Sequence, residues 1–417
     1  MASFDPLDPQ SVPPEFTKES TDWLAIFNPR VPRQMDVQLA ARFVHDGVIC
    51  SVKFSADGSL LAVGSDGVVL LYDLVNGAKI TCPFESAECD SRSKPNHVRA
   101  VTISPDGTLL VAGTEDNLIR VFSIVSFNMT HIHTLAAHTS EVYALSFSAS
   151  GSILASASGD RTIKIWSIVR DGDETKVVKK YNLQHSLSQS DSNAGFASDS
   201  DSVDGSKIAF TSVAIDSSER YVVAGSLDGI VRVWDLSVSQ VPPTHNNDGE
   251  SLSSNVTPSL HLKGHTDSIY GVLFISTSSY SADFGIVSAS LDRTLKVWDV
   301  RTEGRGEGEC VKTLIGHKDS ILALSCTSSG RELRLASGSR DGSVRVWDLR
   351  KGEPMFGVVG HRDTVTMASC SLLGAEIVKY AYGDIRYFEV LYGPTSDSHC
   401  MALLPRPWRK TLVQAWK

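Results

Sequence analysis

The segment Gly264-His265-Thr266-Asp267-Ser268-Ile269-Tyr270-Gly271-Val272-Leu273-Phe274 and its continuation Ile286-Val287-Ser288-Ala289-Ser290-Leu291-Asp292-Arg293-Thr294-Leu295-Lys296-Val297-Trp298-Asp299 decide the fold. Their apolar runs are short and rich in β-branched and aromatic residues, with Gly, Ser and Asp between them where the chain must turn. Three short strands are expected. Thr294 to Trp298 is apolar at both parities, as a sheet covered on both faces requires. The pattern recurs. In six places an Asp precedes an aromatic residue by six positions: Asp66 and Tyr72, Asp116 and Phe122, Asp160 and Trp166, Asp228 and Trp234, Asp292 and Trp298, Asp341 and Trp347. His45, His97, His138, His265 and His317 stand upstream of five of these Asp residues, and the fourth unit lacks its His.

The Gly-His openings and the Trp-Asp closes (Trp234-Asp235, Trp298-Asp299, Trp347-Asp348) resemble the WD repeat, which implies four-stranded blades stacked in a ring. One blade cannot bury both of its faces alone, so blades must stack until the circle closes. The expected fold is all-β, a seven-bladed WD40 β-propeller over residues 35–390 with an irregular last blade. Gly360-His361 opens that blade, but Val390 stands where an aromatic is expected, and 391–417 reads as a divergent tail. Closure would rest on Asp36-Val37-Gln38-Leu39 completing the last sheet. Residues 1–34 carry six prolines and read as an extended lead-in, whose apolar Trp23 to Phe27 should pack on the outside of the first blade. Insertions at about 186–206 and 237–259 are rich in Ser, Asp and Asn and read as loops.

A net charge of −9 and a pI near 5.7 argue against phosphate-backbone binding and favour a protein partner. No apolar run is long enough to cross a membrane as a helix, and a soluble, unexported chain is expected. The seven cysteines form no C-x-x-C pair and read as free thiols. No phosphate-binding glycine motif or H-E-x-x-H occurs, and His131-Ile132-His133 has no evident third ligand, so neither cofactor nor metal is expected. His265, Ser288 or Ser290, and Asp292 imitate a nucleophilic triad. A triad occurs once in an enzyme, however, whereas this set recurs, so a structural role is expected and catalysis is not. The framework set is His138, Asp160 and Trp166; His265, Asp292 and Trp298; His317, Asp341 and Trp347. In each, Asp should orient His, His should bond a strand Ser, and the indole should complete a buried network. Function then falls to the surface around the channel: Tyr143, Tyr270 and Leu322, each five residues after a framework His, and Glu115, Leu227, Leu291 and Arg340, each just before a turn Asp.

The lead-in and blades together resemble one family. Pro13-Pro14-Glu15-Phe16, Asp22-Trp23, Phe27-Asn28-Pro29-Arg30-Val31 and Val48 to Gly58, with Ser226-Leu227-Asp228 and Gly264 to Tyr270, are similar to the Tup-type fungal general transcriptional corepressors, relatives of Groucho. The resemblance spans residues 13–365. It implies a nuclear, non-enzymatic corepressor, recruited by DNA-binding transcription repressors through the propeller's top face. It also implies a tetratricopeptide-repeat corepressor partner and contacts with histone tails and histone deacetylases. No heptad run precedes residue 35, so the family's tetramerisation is not expected of these residues. A generic WD-repeat scaffold, such as a ubiquitin-ligase substrate receptor, is the alternative.

Overall fold

The computed structural model describes residues 5–19, 23–33, 37–45, 47–83, 96–171, 174–184, 208–239, 255–275, 285–300, 308–329, 332–359, 364–370, 377–382 and 387–392. Their strands form separate sheets, each an antiparallel meander at its centre. Sheet five, the one read first, runs Ile269–Ile275, Gly285–Ser290, Thr294–Asp299 and Glu309–Ile315. The innermost strands of sheets one to six are Ser51–Phe54, Val98–Ile103, Val142–Phe147, Phe210–Ile215, Ile269–Ile275 and Ile321–Ser329. Each packs against the next. Thr364–Cys370 then lies between Ile321–Ser329 and Ser51–Phe54, which closes the ring.

Burial follows from this stacking. Leu109–Thr114 and Ile153–Ser158 are buried at every position, because each lies inside a sheet with a neighbour on either face. The core is accordingly divided into layers between sheets. Ala62, Val69 and Leu71 of sheet one meet Val98, Val101 and Ile103 of sheet two, and Val223, Val231 and Val233 of sheet four meet Ile269 and Val272 of sheet five. The small residues of the second strands follow from the same geometry. A Cβ on Gly113 would lie 2.6 Å from Val142 Cγ1, and one on Gly225 would lie 2.5 Å from Ile269 Cγ2. Only Gly lets the next innermost strand approach this closely.

The expectation of seven WD blades is corrected to six. Six sheets are built from the repeated unit. The remaining sheet joins Thr364–Cys370, Ile377–Tyr382 and Tyr387–Tyr392 to Gln38–Val44, from the two ends of the propeller. Val390 there lies opposite Val378 and Ala41, so no aromatic hydrogen-bonding group occupies the position where sheets three, five and six carry an indole.

The lead-in packs on sheet six instead of the first blade. Leu24–Phe27 adds antiparallel to Glu353–Val359, with Phe27 opposite Phe356, and Thr17–Glu19 adds outside it, making six strands. Trp23, Ala25, Phe27 and Val31 bury themselves with Val344, Val346 and Met355. Asn28 locks the corner, with its Nδ2 donating to the Pro354 carbonyl at 2.7 Å. Of the two expected loop insertions, 186–206 lies outside the described residues. The described ends of 237–259 are ordered, since Leu236–Ser239 is a 3-10 turn and Asn255–Val256 pairs parallel with Glu174–Gln184.

Candidate functional site

Three sheets carry the complete framework. In sheet five His265 Nδ1 lies 2.7 Å from Asp292 Oδ2, His265 Nε2 lies 2.7 Å from Ser288 Oγ, and Trp298 Nε1 donates to the same Oγ at 2.8 Å. Sheet three repeats this with His138, Asp160, Ser156 and Trp166, and sheet six with His317, Asp341, Ser337 and Trp347. The Asp carboxylate can only accept, so the neutral imidazole donates to it from Nδ1, and Nε2 then accepts from the Ser hydroxyl, whose oxygen accepts the indole N–H. One neutral tautomer satisfies every group. Burial pulls the Asp292 carboxyl upward, but the bonds from His265 and Thr294 outweigh it and hold it well below the ordinary carboxylate range. Asp160 and Asp341 behave alike, through His138 and His317. Burial pushes the His317 imidazole below its ordinary value, against the pull of Asp341. Ser156, Ser288 and Ser337 are fully buried, so no substrate reaches these hydroxyls.

The other three units depart from the pattern. In sheet one His45 Nε2 meets the Tyr72 hydroxyl at 3.2 Å. His97 does not serve the Asp of its own unit as its spacing suggested. It reaches back to Asp66 of sheet one at 2.5 Å, while Asn96 and Arg120 hold Asp116. In sheet four Arg232 turns inward to Asp228, with Nη2 to Oδ2 at 2.5 Å and Nη1 to Oδ1 at 3.1 Å, and takes the absent imidazole's place. Ala224 stands where sheets three, five and six place the bonded Ser, and Trp234 Nε1 is buried without a partner among the described residues. Arg345, the counterpart of Arg232 in sheet six, finds Asp341 already engaged by His317. Its guanidinium instead forms a two-pronged pair with Asp5 of the lead-in, at 2.9 and 2.8 Å.

The surface residues are positioned by a shared backbone device. In sheet three Val142 pairs with Ser158 and Ala144 with Ala157, so Tyr143 is left over as a bulge. Tyr270 is left over between Ile269 and Gly271, and Leu322 between Ile321 and Ala323. A bulge re-aims its side chain out of the ladder, and Tyr143 and Tyr270 stay 37% and 38% exposed. Arg99 and Thr211 occupy the same bulge in sheets two and four, and Cys50 stands in the equivalent place ahead of Ser51. Sequence reasoning missed these three. Cys50 does stand five residues after His45, but the same count from His97 would land on Thr102, and sheet four has no His to count from. Tyr143 lies seventeen positions before Asp160, and the same count back from Asp116 and Asp228 lands on Arg99 and Thr211.

Side chains of several sheets share this space. Burial lifts the Tyr143 hydroxyl's pKa, with Glu141 and Tyr270 adding to the rise and Arg99 opposing it. Arg99 Nε donates to Glu115 Oε1 at 2.7 Å. The pre-turn residues are fixed through their backbones. The Leu227 carbonyl accepts from Ser268 Oγ at 2.7 Å, the Leu291 carbonyl accepts from Ser320 Oγ at 3.4 Å, and the Arg340 N–H donates to the Ser320 carbonyl at 2.8 Å. Leu227 and Leu291 are half-buried and Arg340 is exposed. Away from this face, His131 Nε2 meets Thr134 Oγ1 at 2.9 Å, and His133 Nε2 meets the Thr175 carbonyl at 2.5 Å.

Comparison with known proteins agrees with this geometry. Among curated proteins, the chain is 33% identical over 138 residues to the transcriptional repressor rco-1 of Neurospora crassa, covering 33% of this chain and 22% of that protein. It is 30% identical over 188 residues to the general transcriptional corepressor TUP1 of Saccharomyces cerevisiae, covering 33% of this chain and 26% of that protein. It is also 34% identical over 148 residues to the ribosome biogenesis protein ytm1 of Aspergillus oryzae, covering 35% of this chain and 26% of that protein. The chain thus spans about a quarter of the length of these relatives. The family model of the WD domain, G-beta repeat, matches residues 38–73, 90–123, 129–167, 200–235, 256–299 and 308–348, more than half of the chain. Four of the six matches open in or just before the outer strand of one sheet and all six end in the third strand of the next, and together with the hydrogen-bonded His–Asp–Ser–Trp sets they make this chain a member of the WD-repeat family.

Proposed function

We propose that the chain is a non-enzymatic scaffold that acts as a transcriptional corepressor in the nucleus, recruited by DNA-bound repressors through the face that carries Tyr143 and Tyr270. The observation behind this reading is the bulge ring. It holds two tyrosines, Leu322 and Arg99 on a rigid base, partly exposed and without an enzyme's chemistry around them. Aromatic and Arg side chains on rigid supports are the residue types that anchor protein interfaces. Glu115, Leu227, Leu291 and Arg340 form the rim. The similarity to rco-1, a transcriptional repressor, and to TUP1, a general transcriptional corepressor, supports a role in repression. A tetratricopeptide-repeat partner, histone tails and histone deacetylases are the further contacts proposed. The ytm1 match favours a second reading, a WD scaffold outside transcription.

Affinity capture from nuclear extract tests both readings. The corepressor reading expects DNA-binding repressors and deacetylases on the parent chain, and their loss from the Tyr143→Ala, Tyr270→Ala variant at unchanged stability. Capture of ribosome-assembly proteins instead would overturn it. Capture unchanged by both substitutions would remove the assignment of this face.

A further inference from the structure

Arg345 has surroundings that its counterparts lack. In sheets two to six the third strand carries a cation two positions before its aromatic residue, and in sheets two to five that cation finds a partner inside its own sheet. Arg120 Nη2 and Arg232 Nη2 bond Asp116 and Asp228 at 2.5 Å, Lys164 Nζ reaches Asn182 Oδ1 at 3.4 Å, and Lys296 Nζ reaches Thr313 Oγ1 at 3.1 Å. The residue opposite the cation on the outer strand is Thr134, Asn182, His261 or Thr313, but in sheet six it is Gly357. Arg345 is therefore buried beside a strand that carries no side chain at this point. Among the described residues its guanidinium takes no bond from its own sheet, and its carboxylate comes from outside.

The group that arrives is a preformed turn. In Asp5-Pro6-Leu7-Asp8 the Asp8 N–H donates to the Asp5 carbonyl at 3.2 Å and the Leu7 N–H donates to Asp5 Oδ1 at 3.1 Å, with Pro6 fixing the backbone between them. Asp5 grips both terminal nitrogens of Arg345, Leu7 is buried, and Asp8 Oδ1 lies 3.8 Å from Lys318 Nζ. A Cβ on Gly357 would lie 3.2 Å from Leu7 Cδ1, while the next nearest atom, the Val344 carbonyl oxygen, is 3.6 Å away, so the glycine is the seat of this leucine. The turn is held by its side chains. Among the described residues the backbone bonds of 5–12 stay within that stretch, whereas Leu24–Phe27 is laddered to Glu353–Val359. It can leave without unpairing the lead-in strand.

We propose that Arg345, Gly357 and Lys318 form a recognition site for acidic Asp-Pro-Leu-Asp turns, that the lead-in is its tethered occupant, and that a partner protein carrying the same turn displaces it. The chemistry selects the ligand: a carboxylate for the forked guanidinium, a leucine for the glycine seat, and a second carboxylate for the exposed ammonium, which adds little energy of its own. The proline and the internal bonds pre-organise the turn, so little ordering is lost on binding. A tether this short gives the lead-in an effective concentration on the order of millimolar. A free peptide therefore competes poorly with the parent chain and well with a chain whose own turn is disabled. A partner already held by another contact shares the lead-in's advantage and takes the site.

Calorimetric titration of a synthetic peptide of residues 5–12 into the whole chain tests this. The chain carrying Asp5→Ala and Leu7→Ala should bind the peptide about tenfold more tightly than the parent does, because its own turn no longer competes. Asp5→Asn alone, a milder opening should the double variant fail to fold, should give an intermediate affinity. Peptides carrying Asp5→Asn or Leu7→Ala should each bind about tenfold more weakly than the parent peptide, and Gly357→Ala in the opened chain should weaken binding by crowding the leucine seat alone. No binding to either opened chain, equal affinity for parent and opened chains, or equal affinity for the three peptides would overturn the proposal. A parent chain that dimerises in sedimentation velocity by exchanging its lead-in would assign the site to a second copy and overturn the partner reading equally.

Discussion

Replacing Ser288 with Ala removes one oxygen and leaves two buried groups without partners. Ser288 Oγ is 2.7 Å from His265 Nε2 and 2.8 Å from Trp298 Nε1, and all three side chains are buried. Each orphaned buried group costs roughly 1–3 kcal/mol, and part is recovered because the hydroxyl no longer has to be desolvated. The expected loss is therefore about 2–4 kcal/mol. An unfolding entropy of about 2.1 cal/mol/K per residue, over roughly 300 ordered residues, turns this into a fall in Tm of about 3–6 °C. Equilibrium urea unfolding followed by tryptophan fluorescence reads the change, which should move the midpoint and leave the slope alone. A midpoint within error of the parent's would show that the indole and imidazole find other partners, and the directional hydrogen-bond chain would be wrong.

Sheet four offers the reverse experiment: Ala224→Ser should place an Oγ beside Trp234 Nε1, as Ser156 lies 3.0 Å from Trp166 Nε1, and should raise stability by about 1 kcal/mol in the same assay. Asp5→Asn should cost about 2 kcal/mol by leaving the buried Arg345 guanidinium without its carboxylate, and limited proteolysis should then cut the lead-in faster than the blades. A pH series of melting temperatures should show two losses. His317, held below its ordinary 6.5 by burial, contributes fully above pH 6.5 and loses its contribution as pH falls through that value, because the unfolded chain binds the proton first. Asp160, Asp292 and Asp341, held below their ordinary 3.8, contribute fully above it and lose their share below, so Tm should fall gently under pH 6.5 and steeply under pH 4.

Much of the ring was legible because its chemistry is local in sequence. The six-residue interval from Asp292 to Trp298 is a turn plus one strand, and it recurs wherever a blade ends. The framework of sheets three, five and six was therefore readable from His138, His265 and His317. What escaped reading depends on contacts between distant segments. His97 carries the expected residue type, yet its Asp lies in the preceding sheet, because Asn96 and Arg120 already satisfy Asp116. Arg232 looks like an ordinary strand cation, and only the missing His of sheet four leaves room for it to turn inward. Trp23 to Phe27 announced burial, but which sheet would receive them depended on the open edge of Glu353–Val359. The tyrosines of the channel face were found from a spacing. Arg99 and Thr211 have no His at that spacing and emerge from a count back from the turn Asp once the strand register shows which count applies.

The joining of two segments so far apart in sequence into one sheet also sets the order of events at the ribosome. Gln38–Val44 is made about 350 residues before its partner Tyr387–Tyr392, and Leu24–Phe27 waits for Glu353–Val359. At about 5–20 residues per second, some 330 residues of further synthesis take roughly 15–70 s, during which Trp23, Ile26 and Phe27 have no sheet to cover them. Contacts between such distant segments also form slowly once the chain is free. The nascent propeller is thus an open arc whose Trp23 to Phe27 stay uncovered until Glu353–Val359 is made.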